Sequence, residues 1–445
     1  ARIDGKVIFI QGAVPGDVAD VLITKNKKDW AEGNVIKINQ YSSERVIPFC
    51  IHFGICGGCK WQMLPYQKQL EYKEQEARDI FKRIGKLPDA VVLPIIGSGD
   101  TIHYRNKLEF TFSNKKYLTE DEFKELGDDE WPGGAFGYHV PRLYDKVIDI
   151  KECWLMDDLN NAIRNGLREF AEKNNYTYYN IKEHKGWLRN LIIRYCTTGE
   201  LMINLVFGYD DKKERENICN YLLKEIPQIS TLVYIINPKW NDSINDLTPY
   251  VVYGKGYVIE KLEDFNFKIS PKSFFQTNTK QAESLYKVVR EFAALNGSET
   301  VYDLYCGTGS IGIFLSNHAQ KVIGVDVIED AVNDAKENAR LNQVDHASFF
   351  AGDVIEICND SFFELHGRPD VVIVDPPRAG LHNKLTDKLL EISSPKMVYV
   401  SCNVATQARD LQLLGEKYFV EKLQPVDMFP HTHHIECVAL LKLKE

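Results

Sequence analysis

After residue 300 the chain alternates short apolar runs with helical stretches, and this alternation limits the possible fold more than any other feature. The runs at 301–305, 321–325, 347–350, 371–374, 397–400 and 438–443 have strand length, and most lack the polar alternation of a half-exposed strand. Parallel neighbours need a crossover, usually a helix, so successive β–α units predict a mostly parallel, doubly wound sheet. Such a sheet binds ligands in the loops at the carboxyl ends of its strands.

One loop of this kind is visible at once. Asp303-Leu-Tyr-Cys-Gly307-Thr-Gly309-Ser310-Ile-Gly312 runs from the first strand into a helix. Its glycines let the backbone approach a ligand, and the helix N-terminus offers free N–H groups. The next strand ends in Gly324-Val325-Asp326, where an acid commonly bonds a ribose hydroxyl pair. Dinucleotide enzymes share this logic, and a glycine turn kept for packing alone is the bland alternative.

Three later stretches carry chemistry. Asp375-Pro-Pro-Arg378-Ala-Gly380 comes first, Ser401-Cys402-Asn403 ends an apolar run, and Asp427-Met-Phe-Pro-His431-Thr-His-His-Ile-Glu436 follows. A cysteine delivered by a strand, with a carboxylate downstream, suits covalent catalysis at carbon: a thiolate attacks and a base collects a proton. Cys196, Cys219, Cys306, Cys358 and Cys437 read instead as small buried hydrophobes. His431, His433, His434 and Glu436 suggest a metal site, but their spacing lacks an obvious tetrahedral set.

A second cysteine group lies near the N-terminus. Cys50-x5-Cys56-Gly-Gly-Cys59, joined by Cys153 far downstream, can converge on one centre because glycines separate the close cysteines. Iron–sulfur and zinc both accept four thiolates, and a loop held only by packing is the third reading.

Before this loop, residues 1–45 form short alternating runs divided by Gly12, Pro15-Gly16 and Gly33, which fits a small barrel lacking its first strand. Any five-stranded β-module would show the same pattern. The chain opens inside a strand, so its natural start is expected upstream. Residues 65–84 read as a charged helix, 91–265 as mixed strand and helix, and 119–130 as a solvated charged loop.

With 445 residues the length prior is two to four domains. The net charge of −9 argues against a globally basic nucleic-acid binder, although a local basic stripe is enough for RNA. No stretch approaches the roughly 18 apolar residues of a membrane span, and Ala-Arg-Ile-Asp-Gly at the start is no export leader. Ten cysteines without an export signal read as reduced thiols or metal ligands, so a cytoplasmic protein is expected.

Taken together, the three C-terminal stretches resemble, nearly position for position, the signatures of the RNA uracil-5-methyltransferase family, which methylates C5 of uridine in transfer or ribosomal RNA. The resemblance spans essentially the whole chain. It implies a multidomain protein: a partial TRAM/OB-like β-barrel (1–45), an α+β central domain with an iron–sulfur loop (46–270) and a class I, Rossmann-like S-adenosyl-L-methionine-dependent methyltransferase domain (271–445). The Val14-Pro15-Gly16-Asp17 turn is the TRAM-like element. By resemblance Cys402 attacks C6, Glu436 removes the C5 proton, and Asp375 lies between cofactor and substrate.

The same resemblance assigns cofactor contacts to Gln276 (in Ser273-Phe-Phe-Gln276-Thr-Asn278), Tyr305, Asp326, Asp353 and Asp375. Ser310 stands where the family often has asparagine, a departure at that contact. Cys50, Cys56, Cys59 and Cys153, with Cys59-x-x-Gln62, resemble the family's 4Fe-4S loop, whose expected role is structural and RNA-facing.

Members with both barrel and cluster most often act on 23S ribosomal RNA, which makes that the expected partner, with transfer RNA open and no obligate protein partner evident. Two rivals come from other classes. An inactive RNA-binding or chaperone protein with a redox-sensing cluster would not need Cys402 and Glu436. An exocyclic-amine methyltransferase usually follows Asp-Pro-Pro with an aromatic residue, whereas Arg378 stands here.

Overall fold

The computed structural model describes residues 1–88, 90–127 and 133–445. At the N-terminus, strands Arg2–Ile3, Lys6–Gln11, Trp30–Gln40 and Val18–Asn26 pair in that spatial order. The Val-Pro-Gly-Asp turn is pinned by the Asp17 carboxylate, which accepts from the Val14 and Ser42 amides (2.7 and 2.9 Å) and pairs with Arg45 at 2.6 Å. The Arg45 hydrogen bond holds that carboxyl at about 2. This sheet buries little: Val14 and Ala31 are enclosed, while Phe9, Leu22 and Ile36 face outward.

The expected helix spans Tyr66–Arg83 and starts directly after Pro65, whose missing N–H costs nothing at a helix start. Its buried positions, Gln69, Lys73, Ala77 and Phe81, recur every four residues along one stripe. The central region is built on a seven-stranded sheet. Its order is Pro249–Gly254, Ile229–Ile236, Leu201–Phe207, Leu188–Tyr195, Lys107–Ser113, Ala135–Val140 and Leu143–Asp149. Helices Leu159–Lys173 and Lys212–Glu225 contribute Ile163, Leu167, Ile218 and Leu222 to its core. Within the charged stretch expected as a loop, Thr119 caps the helix Glu120–Leu126 through a capping box with Glu122 and buries none of it; residues 128–130 lie outside the described residues.

The C-terminal sheet has seven main strands: β1 (Thr300–Leu304), β2 (Lys321–Asp326), β3 (Ala347–Ala351), β4 (Val371–Val374), β5 (Lys396–Ser401), β6 (Tyr418–Val426) and β7 (Glu436–Leu443). Their order is β3-β2-β1-β4-β5-β7-β6, with β1 to β5 parallel and β7 antiparallel to both its neighbours. This is the doubly wound, Rossmann-like arrangement that the alternation predicts. The order reverses between β1 and β4, and a reversal of that kind opens a crevice for ligand. One segment from outside the β–α run joins this sheet and another packs against it. Val91–Val92 adds a parallel strand beside β6, and the hairpin Val258–Leu262/Phe265–Ile269 packs in the same core as helix Thr279–Ala293. Among the described residues no helix is long and apolar enough to cross a membrane.

Candidate active site

At the end of β1 the chain turns sharply. Tyr305 takes φ +64°, a left-handed conformation rare for an aromatic residue, while the Tyr305 and Cys306 amides both donate to the Val325 carbonyl (2.9 and 3.2 Å). That pairing fixes the strained residue and aims the loop back over β2. Gly309, at φ +77°, opens the helix Ser310–Leu315; a Cβ there would press on Ala335 and Phe349 at 3.0 Å. Asp326, the last residue of β2, accepts from the Gly307 amide at 2.9 Å and thereby ties the loop to the acid expected to face a ribose.

Tyr305, Asp326 and Asp353 line one cleft of about 410 Å³, together with His382 and Leu385. Asp353 caps the short helix Val354–Ile357 by accepting from Ile355 at 2.8 Å. Three of the expected cofactor contacts are therefore neighbours. Ser310, Asp375 and Gln276 lie outside this cleft. Ser310 begins its helix, with its hydroxyl 2.9 Å from the Tyr286 hydroxyl. Gln276 belongs to the loop before helix Thr279–Ala293; its carbonyl accepts from Asn106 at 2.9 Å, and Asn278 both caps the helix and donates to the Met428 carbonyl at 2.9 Å.

The second cluster of chemistry lies at the ends of β4, β5 and β7. Antiparallel pairing sets Ser401 opposite Cys437, so the next residue on each strand's site-facing end, Cys402 and Glu436, meet across the sheet. Asn403 caps helix Val404–Leu414 and donates to the Arg378 carbonyl at 3.2 Å. The Asp375–Gly380 loop is held against that helix: the buried Asp410 carboxylate accepts from the Leu381 amide and the Tyr399 hydroxyl, both at 2.7 Å.

Burial dominates the electrostatics. It pushes Glu436 up to about 8, helped by Asp375 and opposed by Arg378. It pushes Asp375 up to about 7, and Asp303 likewise, the Gly312 amide opposing the latter at 2.8 Å. The Cys402 thiol rises to about 11 through burial and the carboxylates of Glu436 and Asp375, while Arg378 pulls it back. A half-buried thiol thus shares a small space with two carboxylates and one guanidinium. Such a set can ionise a nucleophile and move a proton once a substrate excludes water.

The loop leading to Glu436 is anchored at depth. Lys73 and Asp427 form a fully buried ion pair at 2.7 Å, the Tyr66 hydroxyl donates to the same carboxylate at 2.9 Å, and Tyr104 donates to the Pro430 carbonyl at 3.0 Å. Burial lowers His431 and His434 to about 4, so both are neutral near pH 7. Cys50, Cys56, Cys59 and Cys153 line a single separate cavity. Among the described residues no group of three or more His, Cys, Asp or Glu is arranged to hold a metal ion.

A model of the tRNA (uracil-5-)-methyltransferase family matches residues 192–444, and a TRAM domain model matches residues 1–36. An uncharacterized RNA methyltransferase of Bacteroides thetaiotaomicron is 48% identical over all of this chain and 98% of its own length. The chain belongs to the tRNA (uracil-5-)-methyltransferase family. A second family relative, an uncharacterized RNA methyltransferase of Porphyromonas gingivalis, is 46% identical over 99% of the chain and 96% of its own length. Among solved structures, the Pyrococcus abyssi tRNA (uracil-54, C5)-methyltransferase in complex with S-adenosyl-L-homocysteine aligns with TM-score 0.74 and 29% identity. It covers 98% of this chain and 96% of that one. The fold is thus that of S-adenosylmethionine-dependent methyltransferases with an N-terminal TRAM domain.

Four residues that neighbour the groups of this site are not picked out by the sequence. Asp303 opens the glycine motif, and its place on an otherwise apolar strand was a usable signal. Arg378 lies in the Asp-Pro-Pro-Arg stretch, which by itself does not reveal its approach to Cys402. Tyr286 and Asp410 lie on helices whose sequence carries no hint of the site they face.

Proposed function

We propose that this protein transfers a methyl group from S-adenosylmethionine to C5 of a uridine in RNA, with 23S ribosomal RNA as substrate. The observation that carries the reading is the meeting of Cys402 and Glu436 across β5 and β7, with Asp375 beside both. Uracil C5 is a weak nucleophile. Addition of the Cys402 thiolate to C6 places electron density on C5, and the thiol proton passes to Asp375. C5 then takes the methyl group, and the sulfonium becomes a neutral thioether. Glu436 removes the C5 proton, the electron pair expels the thiolate, and the Asp375 proton returns to sulfur. One proton is released per methyl transferred. Tyr305, Asp326 and Asp353 would hold the nucleoside end of the donor in their cleft, with Gln276 and Ser310 at its margins.

We divide the labour as a barrel (1–45), a central domain (46–270) and a catalytic domain (271–445), the first two facing RNA. Transfer RNA is the second reading, favoured by the Pyrococcus abyssi neighbour, whose match over 98% of this chain takes in the barrel region. Mapping 5-methyluridine in ribosomal and transfer RNA from a strain lacking the gene separates the two. Cys402→Ala is expected to abolish turnover and keep cofactor binding, and RNA carrying 5-fluorouridine to trap a covalent adduct with the native protein. Activity retained in that variant would end the mechanism.

Cys50, Cys56, Cys59 and Cys153 we assign to a 4Fe-4S cluster. Their convergence on one cavity supports this, as does their chemistry: burial pushes Cys56 up to about 11 and Cys59 up to about 12, with the other cysteines adding, so a set of thiolates there calls for a cation. One zinc ion draws four sulfurs to about 2.3 Å of a single centre, whereas a cluster provides a separate iron for each thiolate. When bound, the cluster would cross-link the 50–59 loop to residue 153. Anaerobic protein is expected to be brown with four irons, to lose them when any of the four cysteines is replaced, and to keep them in Cys402→Ala. Colourless protein with one tight zinc would overturn this assignment and leave the methylation reading intact.

A further inference from the structure

Two buried hydrogen-bond donors on residues that line the four-cysteine cavity make no well-formed hydrogen bond. His431 and Trp154 both line it, and both His431 Nε2 and Trp154 Nε1 are enclosed without a hydrogen-bond partner. Indole nitrogen can only donate. The state of the imidazole follows from its other nitrogen. Gln69 Oε1 accepts from the His431 amide at 2.8 Å, while Gln69 Nε2 donates to the Trp61 and Leu64 carbonyls at 3.0 and 2.9 Å, which fixes the orientation of that side-chain amide. The same Nε2 faces His431 Nδ1 at 3.0 Å. Its two hydrogens are shared among three acceptors, and because an amide nitrogen cannot itself accept, Nδ1 is the unprotonated nitrogen and the ring proton belongs on Nε2. The Thr101 backbone offers this ring a hydrogen bond, but its geometry at Nε2 falls short of a well-formed one.

The two rings are held as a pair. Phe49, the residue before Cys50, meets Trp154 edge-on at 5.8 Å and His431 edge-on at 5.2 Å. Beyond the cavity, the His431 carbonyl accepts from the Lys60 and Trp61 amides at 2.7 and 3.0 Å, directly after Cys59. Buried donors are normally satisfied; the Trp154 N–H has no acceptor, the His431 N–H has only the Thr101 carbonyl in poor geometry, and both residues line the cavity of the four thiols, which points to sulfur as the acceptor.

We propose that His431 and Trp154 donate N–H hydrogen bonds to sulfur atoms of the centre held by Cys50, Cys56, Cys59 and Cys153, with His431 joining that centre to the loop that ends at Glu436. The inference rests on the cluster assignment above. Hydrogen bonds to the sulfurs favour the more negative, reduced cluster and raise its potential.

The test uses the full chain, loaded anaerobically. Iron and sulfide are counted first, and the cluster is then titrated electrochemically with electron paramagnetic resonance as the readout. Trp154→Phe removes one N–H and keeps an aromatic face towards Phe49. His431→Asn withdraws the other, because its shorter amide does not reach the position of Nε2, and tolerates the positive φ of 64° at that residue. Each variant is expected to keep four irons and to need a more negative potential for half reduction. A several-fold fall in the reduced fraction at fixed potential is the expected size, a tenfold change being about 59 mV for one electron. A crystal structure of the loaded protein should place both nitrogens within hydrogen-bonding distance of sulfur, which keeps the test decisive if His431→Asn does not load. Unchanged potentials with full iron, or N–H groups turned to carbonyls in the loaded crystal, would overturn the inference. Native protein that binds no iron and sulfide would instead overturn the cluster assignment beneath it.

Discussion

Replacing Glu436 with glutamine should lower the pH at which Cys402 ionises, and only above the range in which Glu436 is itself protonated. Burial is the largest cause of the raised thiol, with Glu436 next and Asp375 third. Glutamine keeps the volume and removes the charge. An ordinary thiol at 9.0 is about one-tenth ionised at pH 8, whereas Cys402, pushed up to about 11, is about one-thousandth ionised, a suppression of roughly 100-fold in reactive thiolate. Glu436 is pushed up to about 8, so below pH 7 it is mostly neutral and contributes little to that suppression.

The assay is iodoacetamide labelling of the ligand-free protein between pH 6.5 and 10.5, with the peptide bearing Cys402 quantified by mass spectrometry. Native and Glu436→Gln curves should coincide below pH 7 and separate above pH 8. The variant should react faster there by up to about tenfold, the order expected for removing one adjacent charge. Cys219, buried on helix Lys212–Glu225 and pushed up to about 12, should stay unlabelled in both proteins, which checks that the fold is intact. Superimposable curves at every pH would refute the coupling of thiol and carboxylate. Separation below pH 7 as well would mean that the substitution acts by rearranging the site.

Glu436→Gln should also stall after methyl transfer, accumulating a protein–RNA adduct that carries the new methyl group; an unchanged turnover rate without adduct would assign the proton to another base. Asp303 is held near 7 against an ordinary 3.8, so the native state keeps a proton that the unfolded chain has released. Its contribution to stability is full below about pH 4 and is lost as pH rises towards 7. Asp303→Asn should therefore stabilise the ligand-free protein more at pH 8 than at pH 5, by up to about 4 kcal/mol in unfolding free energy at the upper pH by denaturant titration, and equal gains at both would contradict the burial argument. Lys73→Met leaves Asp427 buried without its cation and should cost about 3–5 kcal/mol, read by denaturant titration together with faster amide exchange in 427–436. Finally, the cationic S-adenosylmethionine should gain affinity over the uncharged thioether S-adenosylhomocysteine between pH 6 and 8 as Asp375 ionises, and a pH-independent ratio by calorimetry would remove Asp375 from the donor's surroundings.

The parts of this protein that local pattern can specify were legible in its sequence. The helix at Tyr66–Arg83 showed as a charged stretch after a proline. Strands β1 to β5 and β7 showed as apolar runs, and the glycine loop after β1 placed a ligand site. Strand β6 escaped because Tyr418–Val426 mixes charges with Pro425 and pairs with β7 through an irregular register. Val91–Val92 escaped because two residues make no pattern; only the exposed edge of β6 makes them a strand. The candidate residues were recognisable by type and motif, but their meeting was not. Cys402 and Glu436 are brought together by antiparallel register, Cys153 reaches Cys50 through a different sheet, and Lys73 finds Asp427 from a helix more than 350 positions away. The raised carboxylates and thiol follow from that closure, since burial and neighbouring charge are properties of assembled space and not of the order of residues.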